Sequence, residues 1–361
     1  MRTGYRYPRR CLTRTPTHLT DVVYRVSAFP QATADAMVTL VDLPPLLVTS
    51  IAITLGLIFG CFRNVVIHRV PRGQSILWPG STCPSCGKPI LAYDNMPVLS
   101  WLLLLGRARC CKTPISPRYP LVEAIGGLYA WALVVMVVGN LSQDTVWWKV
   151  IVIFALHLSL GLGLIAAAFI DLEYMILPDS ITLGGTVLGL VTATLRPPMD
   201  FLSSLIGAVA GFAGIWLLFD VLYRRLRGKV GMGLGDAKLV MLAGAWFGWK
   251  GAIFALLAGS VQGTLAMIAV LVAHGRIEEP DAIAEERRAA QEQLEHAATE
   301  EQRQQLAQEI AADPVLASPP SENLGGARLA FGPFLALSII EYQLLSSTPW
   351  VLDWFGGWLS V

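Results

Sequence analysis

Two aspartates in this chain stand where an acid is least expected. Asp171 closes the apolar run "LGLGLIAAAFID", and Asp236 follows three glycines in "GMGLGDAKLV" at the head of another apolar run. An ionised carboxylate within or at the edge of a membrane span is costly, so such positions are rare and point to function. If the two helices pack with these side chains facing, desolvation and like-charge repulsion let the pair share one proton near neutral pH. One acid then acts as base towards a water while its protonated partner polarises a scissile carbonyl. That is aspartic-protease chemistry, with titration belonging to the pair. A plainer account makes Asp236 the N-cap of the helix "AKLVMLAGAW" and Asp171 an interfacial acid followed by Glu173 and Asp179 in a polar turn. Gly231, Gly233 and Gly235 favour the first account, because they leave room for an extended substrate peptide beside Asp236. Gly-x-Gly-Asp alone is a weak motif, so both accounts stay open.

A second group is built on sulfur. "TCPSCGKP" places Cys83 and Cys86 in a C-x-x-C knuckle, with Pro84 and Gly87 as turn residues, which suits two thiolates converging on one metal ion. A reducing compartment makes a structural disulfide there a poor reading. The candidates for a second pair are Cys110 and Cys111 in "RARCCKTPI". Adjacent cysteines diverge, so a zinc site and a loop held by packing alone both remain open. Cys11 and Cys61 have no comparable partner and are read as unliganded.

The elements that position these groups follow from composition. With 54% hydrophobic and 15% charged residues over 361 positions and a mean hydropathy of +0.55, the chain reads as an all-α polytopic membrane protein. A net charge of +1 carries no sign of a nucleic-acid partner. Apolar stretches near the length of a bilayer crossing fall at 45–65, 119–139, 148–170, 181–197, 201–223, 237–248, 250–273 and 330–346, about eight in all, two of them short. The 237–248 stretch either begins inside the membrane plane or forms a helical hairpin with the next.

The loop 66–118 carries Arg69, Arg72, Lys88, Arg107, Arg109, Lys112 and Arg118 against the single acid Asp94, which places it in the cytoplasm by the positive-inside rule. Alternate threading puts Asp171, Asp236 and the segment 275–328 on the same side. The arginine-rich tail 1–44 breaks the rule, and translation from Met37 would remove the conflict; a processed targeting segment is the alternative. Residues 119–274 then form a membrane core, 275–328 a charged helical insertion with a linker, and 329–361 the last span and tail. The insertion, rich in Ala, Glu, Gln and Arg, reads as a solvated helix or helical hairpin.

The segments "GLIFGCFRNVVIHRVPRG", "CPSCGKPILAYDNMPVLSWLLLLGRARCC", "PISPRYPLVEAIGG", "AAAFIDLEYMILPD", "GMGLGDAKLVMLAGAWFGW" and "FGPFLAL" occur in the order seen in type IV prepilin peptidases, and over about 45–346, apart from the insertion, the chain resembles that family of bifunctional leader peptidases and N-methyltransferases. The resemblance implies catalysis by Asp171 and Asp236 on prepilins or pseudopilins of pilus or type II secretion assemblies. Cleavage would follow a Gly at the cytoplasmic face of the bacterial inner membrane. The new N-terminal amine would be methylated from S-adenosylmethionine in the cysteine loop, with Asn64 and Glu123 near the methylation or substrate site.

Departures touch the second activity more than the first. Ala108 stands where the family's third cysteine belongs, Cys110 lies two residues later, and Cys61 and Arg63 replace the usual Ser and Leu. The alternative class is a transporter or channel with proton-relay aspartates and a metal-sensing loop. It predicts inverted repeats and mid-bilayer acids, whereas no convincing repeat is seen and both aspartates fall at span ends.

Overall fold

The computed structural model describes residues 44–348 except 84, 143–144, 228–232, 275–280, 298 and 313–329. The tail with Cys11 and Met37, Gly231, and the linker after residue 312 lie outside the described residues. Among those residues the chain is all-helical, with no strand. Helix α1 spans Pro45–Arg69, α2 Arg118–Met136, α3 Trp147–Tyr174, α4 Asp179–Val191 and α5 Phe201–Ile215, which continues through a π-helical stretch, Trp216–Leu222. Helix α6 spans Leu234–His274, α7 Asp281–Glu295, α8 Glu300–Ala312 and α9 Gly332–Leu345. Among the described residues five helical stretches, Pro45–Arg69, Arg118–Asn140, Trp147–Tyr174, Phe201–Leu226 and Leu234–Ala273, are long and apolar enough to cross a membrane; α4 and α9 are shorter apolar helices.

Local chemistry sets several ends. Pro45 opens α1 at the first helical position, where its missing N–H costs nothing. Asp200 caps α5 by accepting from Ser203 N–H at 2.9 Å. Met175 ends α3 in the left-handed conformation (φ 52°), its N–H bonded to the Asp171 carbonyl at 2.9 Å.

Helix α6 contains a reversal. Gly248 has φ 68° and ψ −171°, which no helix interior accepts. On α5, Gly207 lies against both Gly244 and Gly248, and Gly211 against both Val240 and Ala252. The arms 234–247 and 249–274 therefore run along α5 in opposite directions, as a helical hairpin. A side chain at Gly207 would meet backbone, so glycine permits the close approach on which this packing rests.

The main core joins α3, α5, α6 and α9 through buried Leu164, Leu239, Leu242, Trp246, Leu335 and Tyr342. Tyr342 packs its ring against Phe247 of one arm and Phe254 of the other, at 5.4 and 5.2 Å between centroids. Tyr129, Leu133 and Ile153 join α2 to α3, and Ile67, Val122 and Ile170 seal α1 against both. The outward side of α1 leaves Ile51, Leu55, Ile58, Phe59 and Phe62 exposed, a surface suited to lipid.

One end of the bundle gathers the termini that matter. Arg118 at the start of α2 pairs with Glu173 near the end of α3. The Arg72 guanidinium lies over the Tyr174 ring at 5.5 Å. Lys238 Nζ meets Asp179 Oδ1 at 2.5 Å, tying the first turn of α4 to that of α6. The irregular loop after α1 begins and ends here. The insertion supplies α7 and α8, and α7 packs against α3. Ile283 of α7 is only 1% exposed, so this helix is not solvated all round, as its composition suggested.

Candidate active site

Asp171 lies in the last turn of α3, 6% exposed, and its Oδ2 accepts from the Gly332 N–H of α9 at 3.0 Å. Asp236 is the third residue of α6 and half-buried. It is not the N-cap, because the helix begins at Leu234 and Asp236 lies inside its first turn. Asp171 thus accepts from the Gly332 N–H, and Leu177, which packs against both Gly332 and Gly235, brings the Asp171 end of α3 and the Asp236 end of α6 to one place.

Leu177 packs between the glycines that flank the pair. A Cβ on Gly235 would fall 3.2 Å from the Leu177 side chain, and one on Gly332 3.0 Å from it. Among the described residues, a Cβ on Gly233 would meet only Asp236 Oδ2, at 3.5 Å, and Gly235 N, at 3.9 Å. The result is a pair of acids set beside one apolar side chain, Leu177. Such a pair can hold a water, remove its proton and supply another.

The four loop cysteines converge. Their sulfurs all lie within 4.8 Å of one another, with Cys83 and Cys111 at 3.6 Å, Cys86 and Cys110 at 3.3 Å, and Cys110 and Cys111 at 3.8 Å. A zinc ion with Zn–S bonds of about 2.3 Å sets its four sulfurs about 3.8 Å apart, so the donor set and spacing fit that ion. Backbone N–H groups of Ser85 and Cys86 hold the Cys83 thiol below its ordinary value. Thr113, through its hydroxyl and its backbone, brings Cys111 down to about 6. The Cys86 thiol beside it pushes Cys110 up to about 12, a crowding that a cation relieves.

Asn64 and Glu123 also meet. Glu123 accepts from Val98 N–H at 2.8 Å and from Asn64 Nδ2 at 3.4 Å, joining α1, α2 and the loop. Cys61 is not isolated, since its sulfur lies 3.5 Å from Asn95 Oδ1. A groove of about 310 Å³ opens beside it, lined by Cys61, Phe62, Arg69, Leu77, Ser81 and Asn95 among others. Arg63 is buried and donates to the Val122 carbonyl at 3.0 Å.

The sequence matches two family models in tandem: the bacterial peptidase A24 N-terminal domain over residues 54–137, and the type IV leader peptidase family over 158–268. A Klebsiella pneumoniae protein named prepilin leader peptidase/N-methyltransferase is 40% identical over 202 residues, covering 54% of this chain and 83% of the relative. A Neisseria gonorrhoeae protein of the same name is 37% identical over 250 residues, covering 63% and 83%.

The chain belongs to the type IV leader peptidase family. A Myxococcus xanthus protein of the same name as the two relatives is 39% identical over 222 residues, covering 62% of this leader peptidase and 63% of the relative. No solved structure matches it. In this leader peptidase, sequence reasoning missed Gly332, which lies in the quoted "FGPFLAL" but had no assigned role. Its partner is 161 residues away, and a backbone donor leaves no side-chain signature. The Arg118–Glu173 pair was likewise unmarked, although Arg118 stands in "PISPRYPLVE" and Glu173 two residues after Asp171.

Proposed function

We propose that this leader peptidase is a membrane aspartic endopeptidase that removes the leaders of type IV prepilins or pseudopilins, with Asp171 and Asp236 as the catalytic pair. The observation that carries this reading is the placement of both aspartates around Leu177 at one end of the bundle, with Asp171 held by the Gly332 N–H and Asp236 following Gly235. In the reaction, a water held between them loses a proton to one carboxylate as its oxygen attacks the scissile carbonyl carbon. The proton held by the other passes to the carbonyl oxygen. Collapse of the tetrahedral intermediate breaks the C–N bond, with the proton taken from water delivered to the leaving amine.

The reading places eight crossings in the bacterial inner membrane: the hairpin arms of α6 and the short helices α4 and α9 join α1, α2, α3 and α5. The basic loop after α1 lies in the cytoplasm, and so do the carboxylates that share its end of the bundle. A substrate with a basic leader and an apolar helix then presents its junction at the level of the pair, with the Gly233–Gly235 segment beside Asp236 receiving the extended peptide. The name of the relatives, prepilin leader peptidase/N-methyltransferase, supports the substrate class and the cut.

In the loop, Cys83, Cys86, Cys110 and Cys111 would hold a structural zinc ion. S-adenosylmethionine, when bound, supplies the methyl group. The groove beside Cys61 has apolar walls for a ring face and polar Arg69, Ser81 and Asn95 for a charged tail, and its volume lies at the small end of ligand pockets. Asn64 and Glu123, joined to each other and to the Val98 N–H where α1, α2 and the loop meet, would act near the methylation or substrate site.

The test incubates membranes containing the protein with a prepilin and reads the product by mass spectrometry. Cleavage directly after the leader's terminal Gly, with methyl transfer from labelled S-adenosylmethionine to the new N-terminus, is the expected result. An intact prepilin would contradict the reading, and cleavage without methylation would contradict its second half.

A further inference from the structure

The two aspartates have unequal surroundings. Asp236 Oδ2 lies beside Gly233, just ahead of its own helix, 3.5 Å from where a Cβ there would sit, whereas Asp171 accepts from Gly332, the first residue of a different helix. Helix α9 packs on both α3 and α6, so it is the wedge that sets one carboxylate relative to the other. Its first turn lies beyond the segment 158–268 matched by the peptidase family model. The contact is buried and sterically closed, since a Cβ at position 332 would fall 2.7 Å from Asp171 Oδ2 and 3.0 Å from Leu177 Cδ2. Only glycine brings the N–H this close.

We propose that Gly332 is a positioning residue of the peptidase: its N–H fixes Asp171 Oδ2 as a hydrogen-bond acceptor and leaves Oδ1 as the oxygen that exchanges a proton with the attacking water. A backbone N–H can only donate, so the oxygen it binds must offer a lone pair. Donation to a carboxylate is a strong bond, and it comes from the positive end of α9. Rotation of the Asp171 carboxyl is thereby blocked, and each turnover begins from one orientation rather than several. The inference rests on the aspartic-peptidase reading above.

The direct test replaces Gly332 with glycolic acid in the full chain by nonsense suppression. This turns one amide into an ester and removes the N–H without adding an atom to the side chain. Prepilin cleavage is expected to lose roughly tenfold or more in kcat, as for a hydrogen bond to a charged group. KM should stay within about twofold, because only the chemical step is affected. Gly332→Ala, which keeps the N–H but displaces the carboxylate, should show the same split, and it carries the test if the ester enzyme does not fold. Wild-type kcat in either folded variant overturns the inference, as does a loss confined to KM. Asp171→Asn and Asp236→Asn in the same assay separate the two levels. If they abolish cleavage while the ester enzyme keeps its kcat, Gly332 has no positioning role and the dyad stands; if either retains full activity, the dyad itself fails.

Discussion

Cys83 and Ala108 occupy equivalent places in two copies of one turn. The Cys83 N–H donates to the Lys88 carbonyl at 2.8 Å and its carbonyl accepts from Gly87 N–H at 2.8 Å; the Ala108 N–H donates to Thr113 at 2.8 Å and its carbonyl accepts from Lys112 at 2.9 Å. Each turn is closed by an isolated β-bridge, Thr82 with Pro89 and Arg107 with Pro114. Gly87 and Lys112 share the left-handed conformation, at φ 70° and 61°. Cys111 then matches Cys86, and Cys110 falls at the place of Ser85.

The second knuckle therefore has Ala108 at the place of Cys83 and an additional thiol, Cys110, next to Cys111. Cys110→Ser should weaken zinc binding at least tenfold, since even outer partners of zinc ligands are worth about 10- to 100-fold. Adding Ala108→Cys to that variant should restore it. Competition with a chromogenic chelator measures both, and unchanged affinity in Cys110→Ser would remove that thiol from the ligand set.

Lys112 carries a side chain where its counterpart is glycine. A non-glycine residue in that conformation costs roughly 1–2 kcal/mol. Lys112→Gly should therefore raise the thermal stability of the loop, read as slower proteolysis within residues 80–115, without changing cleavage of substrate. Faster proteolysis would contradict the strain assignment.

Arg196 joins the ends of two helices that the sequence does not associate. Its guanidinium lies 4.3 Å over the Trp246 ring, donates to the Trp246 carbonyl at 2.8 Å and reaches the Gly189 carbonyl at 2.6 Å. Lysine keeps the charge but not the planar fork, so Arg196→Lys should cost about 1–3 kcal/mol. Denaturant titration in detergent measures it, and a stability equal to wild type would show that the fork contributes nothing.

The two glycines before Asp236 now separate. Gly235 is closed against Leu177, whereas among the described residues Gly233 meets only Asp236 Oδ2 and the Gly235 N. Gly235→Val should lower both stability and kcat by displacing Leu177, while Gly233→Val should chiefly raise KM for a prepilin. Equal effects of the two substitutions on KM and on the unfolding midpoint would sink this distinction.

Much of the helical architecture was legible because apolar stretches of bilayer length stand out against charged loops. Helices occupy each of the stretches marked in the sequence, and the hairpin option for 237–248 matches the reversal at Gly248. Glycine there was one of many, and only its φ of 68° distinguishes it. Asp171 and Asp236 were conspicuous as acids at the ends of apolar runs. Gly332, Arg196 and Ile283 were not, because a backbone donor, a helix-end clamp and one buried residue in a polar helix leave no local pattern. The meeting of Cys110 with Cys86 was obscured by adjacency to Cys111, which argued against both sharing one site until the repeated turn brought them together.

The most direct measurement of the central claim is the single-turnover rate of prepilin cleavage by purified wild-type, Asp171→Asn and Asp236→Asn enzymes of equal unfolding midpoint. Loss of a catalytic general acid or base removes roughly 10²- to 10⁴-fold in rate, and both variants are expected to fall at least that far with the substrate still bound. A variant of either aspartate that cleaves at the wild-type rate would contradict the paired-carboxylate account.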